Sequence, residues 1–473
     1  MIPIRHYADR DVAVFGLART GRAAAKALAA GGARVHAWDD SEAARADALA
    51  EGVPLSDINA RDWRGFAALV LSPGVPLDHP EPHRVVALAR AVGVPVIGDV
   101  ELFAGAVNAL APHQRPKVIG VTGTNGKSTT TALIGHALKE AGKDARVGGN
   151  IGQAALDLAP LHAGAFYVLE LSSFQLDLVS TLRCDVAVWL NTTPDHLDRH
   201  GSMENYIAAK RRILANQGAG DWAVIGVDDA IGSRVCTELI AHGARQVAPI
   251  SSGQALSRGV CALGGKLFDA LGARADQVFD LAEAPNLKGA HNAQNAAAAY
   301  AALRAFGLER RVIAAAFTSF KGLPHRLEEA GIVSGVRFIN DSKATNADAA
   351  AQALAVFPRV YWIAGGVAKE GGVEGLQRFF SRLAGVYLIG KAAKDFARTL
   401  EGQAPVVQCG DLEHAVAQAF ADAKKSGDPD PVVLLSPACA SYDQFRDYEA
   451  RGDAFKALVA KLALAPSMDA SAG

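Results

Sequence analysis

The segment running from Val118 through VIGVTGTNGKSTTTALIGHALKEAG to Gly142 places the tightest constraint on the fold. A short apolar run, Val118 to Val121, is broken by glycine and followed at once by a long stretch of helix formers. That order predicts a buried strand, a sharp turn and a helix packed back on the strand. Gly120, Gly123 and Gly126 precede Lys127, Ser128 and Thr129. Glycines let the backbone come close to phosphate oxygens, and N–H groups converge at the helix start. Lys127 brings a positive charge, and Ser128 or Thr129 a hydroxyl suited to magnesium. A nucleotide triphosphate is expected on Gly123, Thr124, Asn125, Gly126, Lys127, Ser128 and Thr129. The strict GxxxxGK[ST] pattern needs glycine at 121, where this chain has Val121, so the loop is a variant. The alternative is a glycine turn that only packs helix on strand.

The same alternation recurs on both sides. VAVFGLARTG (12–21), the run ending at Trp38, AALVLSPG (67–74) and PVIGDVELF (95–103) read as strands, each followed by a turn or helix. The polar stretch APHQRPK (111–117) marks a linker, and a third series begins after GLPHR (322–326) with VRFINDS, VYWIAGG, VYLIG and VVLLSPA. Repeated βα units imply parallel, Rossmann-like sheets with ligands at the strands' carboxyl ends. For 473 residues, three domains are expected, 1–112, 113–322 and 323–473. The closing APSMDASAG lacks a core pattern and is expected to fray.

Charge excludes some classes of partner. Lys plus Arg total 48 against 49 acidic residues, a formal charge of −1, so no overall basic field exists to hold nucleic acid. Five scattered cysteines without a CxxC pair argue against a disulfide framework or a structural zinc, and fit a reducing compartment. The charged amino end and the absence of a long apolar run suggest a cytoplasmic chain, neither exported nor membrane-spanning.

Several polar clusters sit at predicted strand ends. Glu170 interrupts the apolar run VLELSSFQL and must either meet a basic side chain or ligate a hard cation. LNTTPDHLDRHGSMENYIAAKRRIL gathers Asp195, His196, Asp198, Arg199, His200 and Lys210 after a buried strand. Asn292 and Asn295 share a face near the start of an alanine-rich helix, where they either cap it or bind a base or phosphate. FINDSKATN carries Asp341, Ser342, Lys343, Thr345 and Asn346, with Asp341 or Ser342 a plausible helix cap. Lys343, Lys369 and Ser441, at three strand ends, suggest a pocket for a small anion. The first glycine turn, GLARTG, has Ala18 where GxGxxG wants glycine. It is either structural or a diphosphate site, with Thr20 and Gly21 near phosphate and Asp39 near a base or ribose.

Together GTNGKST, GGNIG, LELSSFQL, TPDHLDRH with YIAAKRRI, HNAQNAAAA, GLPHR, NDSKATN, the glycine loop with Lys369, and SPACASYDQF resemble the Mur ligases of peptidoglycan synthesis. The motifs keep family order over nearly the whole chain, and NDSKATN and SPACAS are closest to the D-glutamate-adding branch. Folylpolyglutamate synthases, a related group, carry glycine where this chain has Ser128.

The resemblance implies a UDP-sugar-binding domain, a central ATPase domain and a C-terminal domain for the incoming amino acid. It implies an ATP-dependent amide ligase, a monomer, that joins D-glutamate to UDP-MurNAc-L-Ala through an acyl phosphate. A relative adding a different amino acid is the alternative, and a non-catalytic nucleotide-binding scaffold the reading from another class. By resemblance Lys127 and the loop hold phosphates, Ser128 and Glu170 attend one magnesium, and His196 and Lys210 a second. Lys210 matches the family lysine that is carbamylated. Only about one lysine in 2,500 is neutral at pH 7 with an ordinary pKa, so burial and nearby cations must depress it. Asn292, Asn295, Arg326, Asp341 and Lys343 would surround ATP, and Asn150 would meet the substrate carboxylate. Thr345, Lys369, Ser441, Tyr442 and Tyr448 would line the glutamate site. Arg19, Thr20, Asp39 and Gly74 would fall at the uridine site, where Ala18 and the Asp40-Ser41 pair depart from the family pattern.

Overall fold

A computed structural model describes residues 1–287, 289–369 and 371–464. APSMDASAG lies outside the described residues. The chain divides into two compact units, Met1–Phe320 and the part from Lys321 onward.

The first unit holds two sheets. Strands β1 (Asp11–Phe15), β2 (Arg34–Trp38), β3 (Phe66–Leu71) and β4 (Val96–Ile97) form a parallel sheet in the order β2-β1-β3-β4. The helix Arg19–Ala30 buries Ala23, Ala24, Ala27 and Leu28 against it. It can sit close because position 21 is glycine: a Cβ there would lie 1.7 Å from the Gly16 carbonyl oxygen.

The second sheet has nine strands: β5 (Lys117–Thr122), β6 (Asp144–Gly149), β7 (Ala165–Glu170), β8 (Val186–Trp189), β9 (Trp222–Gly226), β10 (Gln246–Ser251), β11 (Gly259–Leu263), β12 (Lys266–Ala270) and β13 (Asp276–Asp280). Their order is β13-β12-β11-β10-β9-β8-β5-β7-β6, with all pairs parallel except those made by β12 and β13. β5 and β8 are apolar because both faces are covered, as parallel sheets require. The helices Lys127–Glu140 and Ala290–Ala305 share one core on a face of this sheet, and the alanines of the latter allow close approach. Asn292 and Asn295 lie inside Ala290–Ala305, whose cap is Gly289 without a side-chain cap bond, so the capping alternative is wrong for both.

One carboxylate ties the two sheets together. Glu101, on the helix Asp99–Asn108 of the first sheet, is buried and accepts from the N–H and hydroxyl groups of both Ser180 and Thr181, beyond β7, at 2.7–3.2 Å. Four donors on one ionised carboxylate offset the cost of burying it.

In the second unit β14 (Glu328–Val333), β15 (Val336–Asn340), β16 (Val360–Gly365), β18 (Leu383–Ile389), β19 (Val406–Gly410) and β20 (Val432–Leu435) form a sheet in the order β14-β15-β20-β16-β18-β19. Only the β14–β15 edge is antiparallel. β17 (Val367–Ala368) and β21 (Cys439–Ala440) make a two-residue antiparallel ladder. The helix after NDSKATN is Ala347–Val356, capped by the Asn346 side chain, which accepts from Ala349 N. Neither Asp341 nor Ser342 is the cap. The five cysteines are free, and no helix among the described residues is long and apolar enough to cross a membrane.

Candidate active site

β5, β7, β8, β9 and β10 are neighbours and parallel, so their carboxyl ends open on one edge of the nine-stranded sheet. The predicted phosphate loop leaves β5 there. Gly126, at φ 86°, ends the turn, and a Cβ on it would meet Asn295 Oδ1 at 2.2 Å, so any other residue would have to displace that side chain and adopt a left-handed backbone. Thr130 Oγ1 also donates to Asn295 Oδ1, at 3.3 Å, and Asn295 Nδ2 donates to Asn292 Oδ1 at 3.0 Å. The two asparagines thus brace the loop's helix from the alanine-rich helix.

Lys127 Nζ donates back to the loop, to Gly123 O at 2.9 Å and Thr124 O at 2.7 Å. Lys210, on the last turn of the helix Met203–Arg211, donates to the same Gly123 oxygen at 2.9 Å and lies 4.5 Å from the centre of the Tyr206 ring. Two lysines on one carbonyl repel. Lys210 is 1% exposed, and burial, reinforced by the Lys127 charge, lowers its pKa well below that of an ordinary lysine, with Asp195 acting the other way. The shift runs in the direction that favours a neutral amine.

Glu170 ends β7, paired in register with Val121 and Gly149, and is 2% exposed. Its Oε1 accepts from Asn150 Nδ2 at 2.7 Å. His196, at a left-handed φ of 56°, lies 3.3 Å from Asp195 and packs on the Phe174 ring. That conformation is costly for a non-glycine residue and recurs at functional sites.

A cavity of about 430 Å³ gathers many of these residues: Gly123, Lys127, Asn150, His196 and Lys210 from the second sheet with Arg19, Thr20 and Gly74 from the first. Arg19 donates to the carbonyls of Gly149, at 3.3 Å, and Gly152, reaching across to the GGNIG turn. Asp39 is not among the cavity-lining residues. Its carboxylate accepts from Leu17 N at 2.6 Å and Ser41 N at 2.8 Å and so shapes the first glycine turn. Sequence reasoning did not single out Ser72, Ser172, Ser173, Phe174, Gln175 or Tyr206, which also line the cavity. The first five lie in ALVLSPG and LELSSFQL, from which the sequence pointed only to Gly74 and Glu170.

The donor set suits magnesium. Ser128, 1% exposed, and Glu170 offer hard oxygens on neighbouring elements, and His196 an imidazole. An ammonium at 210 would not ligate a cation; a carbamate there would.

The second unit carries its own cluster. β15, β20 and β16 are adjacent, so the segments bearing Lys343, Ser441 and Lys369 leave three neighbouring strand ends. The β17–β21 ladder pairs Ala368 with Cys439 and keeps the last two together. Lys343 Nζ donates to Tyr448 Oη at 3.0 Å and sits over its ring, and Thr345 N donates to Lys343 O at 2.9 Å. Asp341 accepts from Ser436 Oγ at 2.8 Å and Leu327 N at 3.2 Å. Burial pushes it up to about 7, against these bonds and the Arg326 charge. Ser441 is buried, whereas Tyr442 is 75% exposed. Arg451, missed in the sequence, is wholly buried and donates to Ser342 Oγ, Ser342 O and Cys439 O at 2.7–3.1 Å, joining NDSKATN to SPACAS.

A mostly parallel sheet whose interior strand β5 feeds a glycine loop, a lysine and a helix defines an α/β protein of the phosphate-loop class. The chain belongs to the Mur ligase family: the Mur ligase middle domain matches residues 121–303, and the Mur ligase glutamate ligase domain residues 325–439. It is 58% identical over 463 residues to a UDP-N-acetylmuramoylalanine–D-glutamate ligase of Phenylobacterium zucineum, covering 98% of each chain. It is 51% identical, with the same coverage, to the ligase of that name from Brucella abortus. Among solved structures, the UDP-N-acetylmuramate-alanine ligase of Thermotoga maritima shares the fold, with a TM-score of 0.59 at 19% identity over 96% of this chain and 99% of that one.

Proposed function

We propose that this chain is an ATP-dependent ligase joining D-glutamate to UDP-MurNAc-L-Ala in cytoplasmic peptidoglycan precursor synthesis. The observation that carries the reading is the cavity where Lys127, His196 and Lys210 meet Arg19, Thr20 and Gly74. The names of the relatives at 51–58% identity supply the substrate pair.

Three domains divide the work, 1–112 for the UDP-sugar, 113–322 for ATP and 323–473 for glutamate. Phosphoryl transfer to a carboxylate depends on alignment and charge neutralisation more than on a protein nucleophile. Lys127 leaves its loop carbonyls for the β and γ phosphates, and Gly123 to Thr129 wrap them. Asn292 and Asn295 complete the nucleotide site on this unit; Arg326, Asp341 and Lys343 are likewise assigned to ATP. Ser128 and Glu170 would hold one magnesium, and His196 with Lys210 a second; when bound, these ions neutralise the transferring phosphoryl group. Asn150, beside Glu170, orients the carboxylate that is phosphorylated. Arg19, Thr20, Gly74 and Asp39 serve the uridine diphosphate end.

The neutral amine of Lys210 adds to carbon dioxide and loses a proton, giving a carbamate that replaces a repelling charge with an anionic ligand. Thr345, Lys369, Ser441, Tyr442 and Tyr448 hold D-glutamate so that its amine attacks the acyl phosphate and phosphate leaves.

The test is phosphate release from ATP by purified protein. Release is expected only with UDP-MurNAc-L-Ala and D-glutamate together. Equal turnover with L-glutamate or another amino acid in a panel would overturn the specificity.

A further inference from the structure

The phosphate loop is held from the side by a chain of side-chain amides outside the proposed substrate contacts. Asn191, just past β8, uses its whole amide on one residue of the loop and one neighbour. Its Oδ1 accepts from Asn125 N at 2.9 Å, and its Nδ2 donates to Asn125 O at 3.2 Å and to Gln294 Oε1 at 2.9 Å. Gln294, on the alanine-rich helix and 7% exposed, donates from Nε2 to Asp228 Oδ2 at 2.7 Å. Asp228, past β9, is itself anchored by Ser251 Oγ at 2.5 Å and Ser252 N at 2.9 Å, both past or ending β10. The chain therefore crosses the carboxyl ends of four adjacent strands.

Its polarity has one solution. An ionised carboxylate accepts only, so it takes the NH₂ end of Gln294 and turns that residue's oxygen toward Asn191. Asn191 must then present NH₂ to Gln294, which leaves its oxygen for the Asn125 N–H. The orientation of the amide at 191 is thus set by a charge two residues away in the chain of bonds.

The consequence falls on the next peptide. Asn125 C=O and Gly126 N–H belong to one trans peptide plane and point in opposite directions. Holding the carbonyl on Asn191 aims the Gly126 N–H away from it, and Gly126 takes its left-handed turn from that plane. A flipped plane would offer a carbonyl where an anion needs a donor. Thr124 N donating to Asn191 O at 3.0 Å fixes the Gly123–Thr124 peptide as well.

We propose that Asn191 is a positioning residue for the phosphate loop, clamping Asn125 and oriented by Asp228 through Gln294, so that the loop is set for triphosphate before the nucleotide arrives. This rests on residues 123–129 being the nucleotide site.

The test is calorimetric affinity for magnesium AMP-PNP, with UDP-MurNAc-L-Ala affinity as the control. Asn191→Leu is expected to weaken the nucleotide by 10- to 50-fold and Gln294→Leu by about 5-fold, with the UDP-sugar unchanged within twofold. In turnover, KM for ATP should rise more than kcat falls. Gln294→Glu sets two carboxylates against each other and should weaken the nucleotide; adding Asp228→Asn, which restores a donor, should recover part of the loss. Nucleotide affinity within twofold of wild type in Asn191→Leu, or an equal loss of both ligands, overturns the clamp. Should Asn191→Leu fail to fold, Gln294→Leu with the charge-swap pair decides by the same criteria. Wild-type protein that binds UDP-sugar but not AMP-PNP overturns the nucleotide site itself, a result distinct from failure of the clamp alone.

Discussion

The first unit contains two glycine turns built on the same local plan, strand, glycines and helix, and they have different consequences. In the first, Gly21 lets its helix lie against the Gly16 carbonyl, and Asp39 ties the turn from the next strand. Arg19 and Thr20 follow at the helix start and face the cavity. In the second, Gly126 closes on Asn295 and is followed by Lys127 and the buried Ser128, with Lys210 and Glu170 buried alongside. The first turn's glycines serve packing; the second gathers a half-buried Lys127 with the buried Lys210 and Glu170. The proposed chemistry falls at the second because ionic groups act most strongly where solvent competes least.

The contrast is broken most severely at the two lysines that share the Gly123 carbonyl. Lys127→Ala and Lys210→Ala should each lower turnover by about 10²–10³-fold, the cost typical of removing a preorganised stabilising group. Lys210→Ala alone should regain part of its rate with a short carboxylic acid, read in the phosphate-release assay. Activity should also fall as pH drops through the depressed pKa of Lys210, because protonated amine cannot take up carbon dioxide.

Alanine at the two glycines separates their roles. Gly21→Ala forces a methyl into a backbone oxygen and should cost about 3 kcal/mol in urea unfolding. Gly126→Ala meets the end of a side chain instead and should chiefly weaken AMP-PNP binding, by about tenfold. Next, Arg19→Ala should weaken UDP-MurNAc-L-Ala by about tenfold in calorimetry while nucleotide affinity holds.

One further effect, on stability, depends on pH. Asp99, wholly buried beside Gln175, is pushed up to about 6 by burial. A carboxyl with a raised folded pKa binds more protons folded than unfolded, so stability falls as pH rises from about 4 to 6. Asp99→Asn should gain on the order of 2 kcal/mol at pH 8 and nothing at pH 3.5, measured by denaturant titration.

Much of the fold was legible because short apolar runs punctuated by glycine carry their own period and boundaries. GTNGKST and Glu170 stood out because each puts polar groups where the pattern demands an apolar residue or a turn, whereas His196 and Lys210 stood in a polar cluster after a strand and took their expected roles from the family resemblance. Asn191, Gln294 and Arg451 were not. An asparagine after a strand and a glutamine among alanines look like solvated or capping residues, and only the folded chain shows each amide facing another. Asn346, not Asp341, caps its helix because the turn after β15 is longer than local propensity alone reveals.

The sequence by itself determined the succession of βα units, the composition of the phosphate loop and the family motifs, since these depend on residue order and local backbone chemistry. The tertiary structure decided which strand ends are neighbours. It brought Arg19 to the GGNIG turn and two lysines to one carbonyl, and it buried Lys210 deeply enough to depress its pKa. Desolvation and pairing arise between residues far apart in the chain, so no local pattern can encode them.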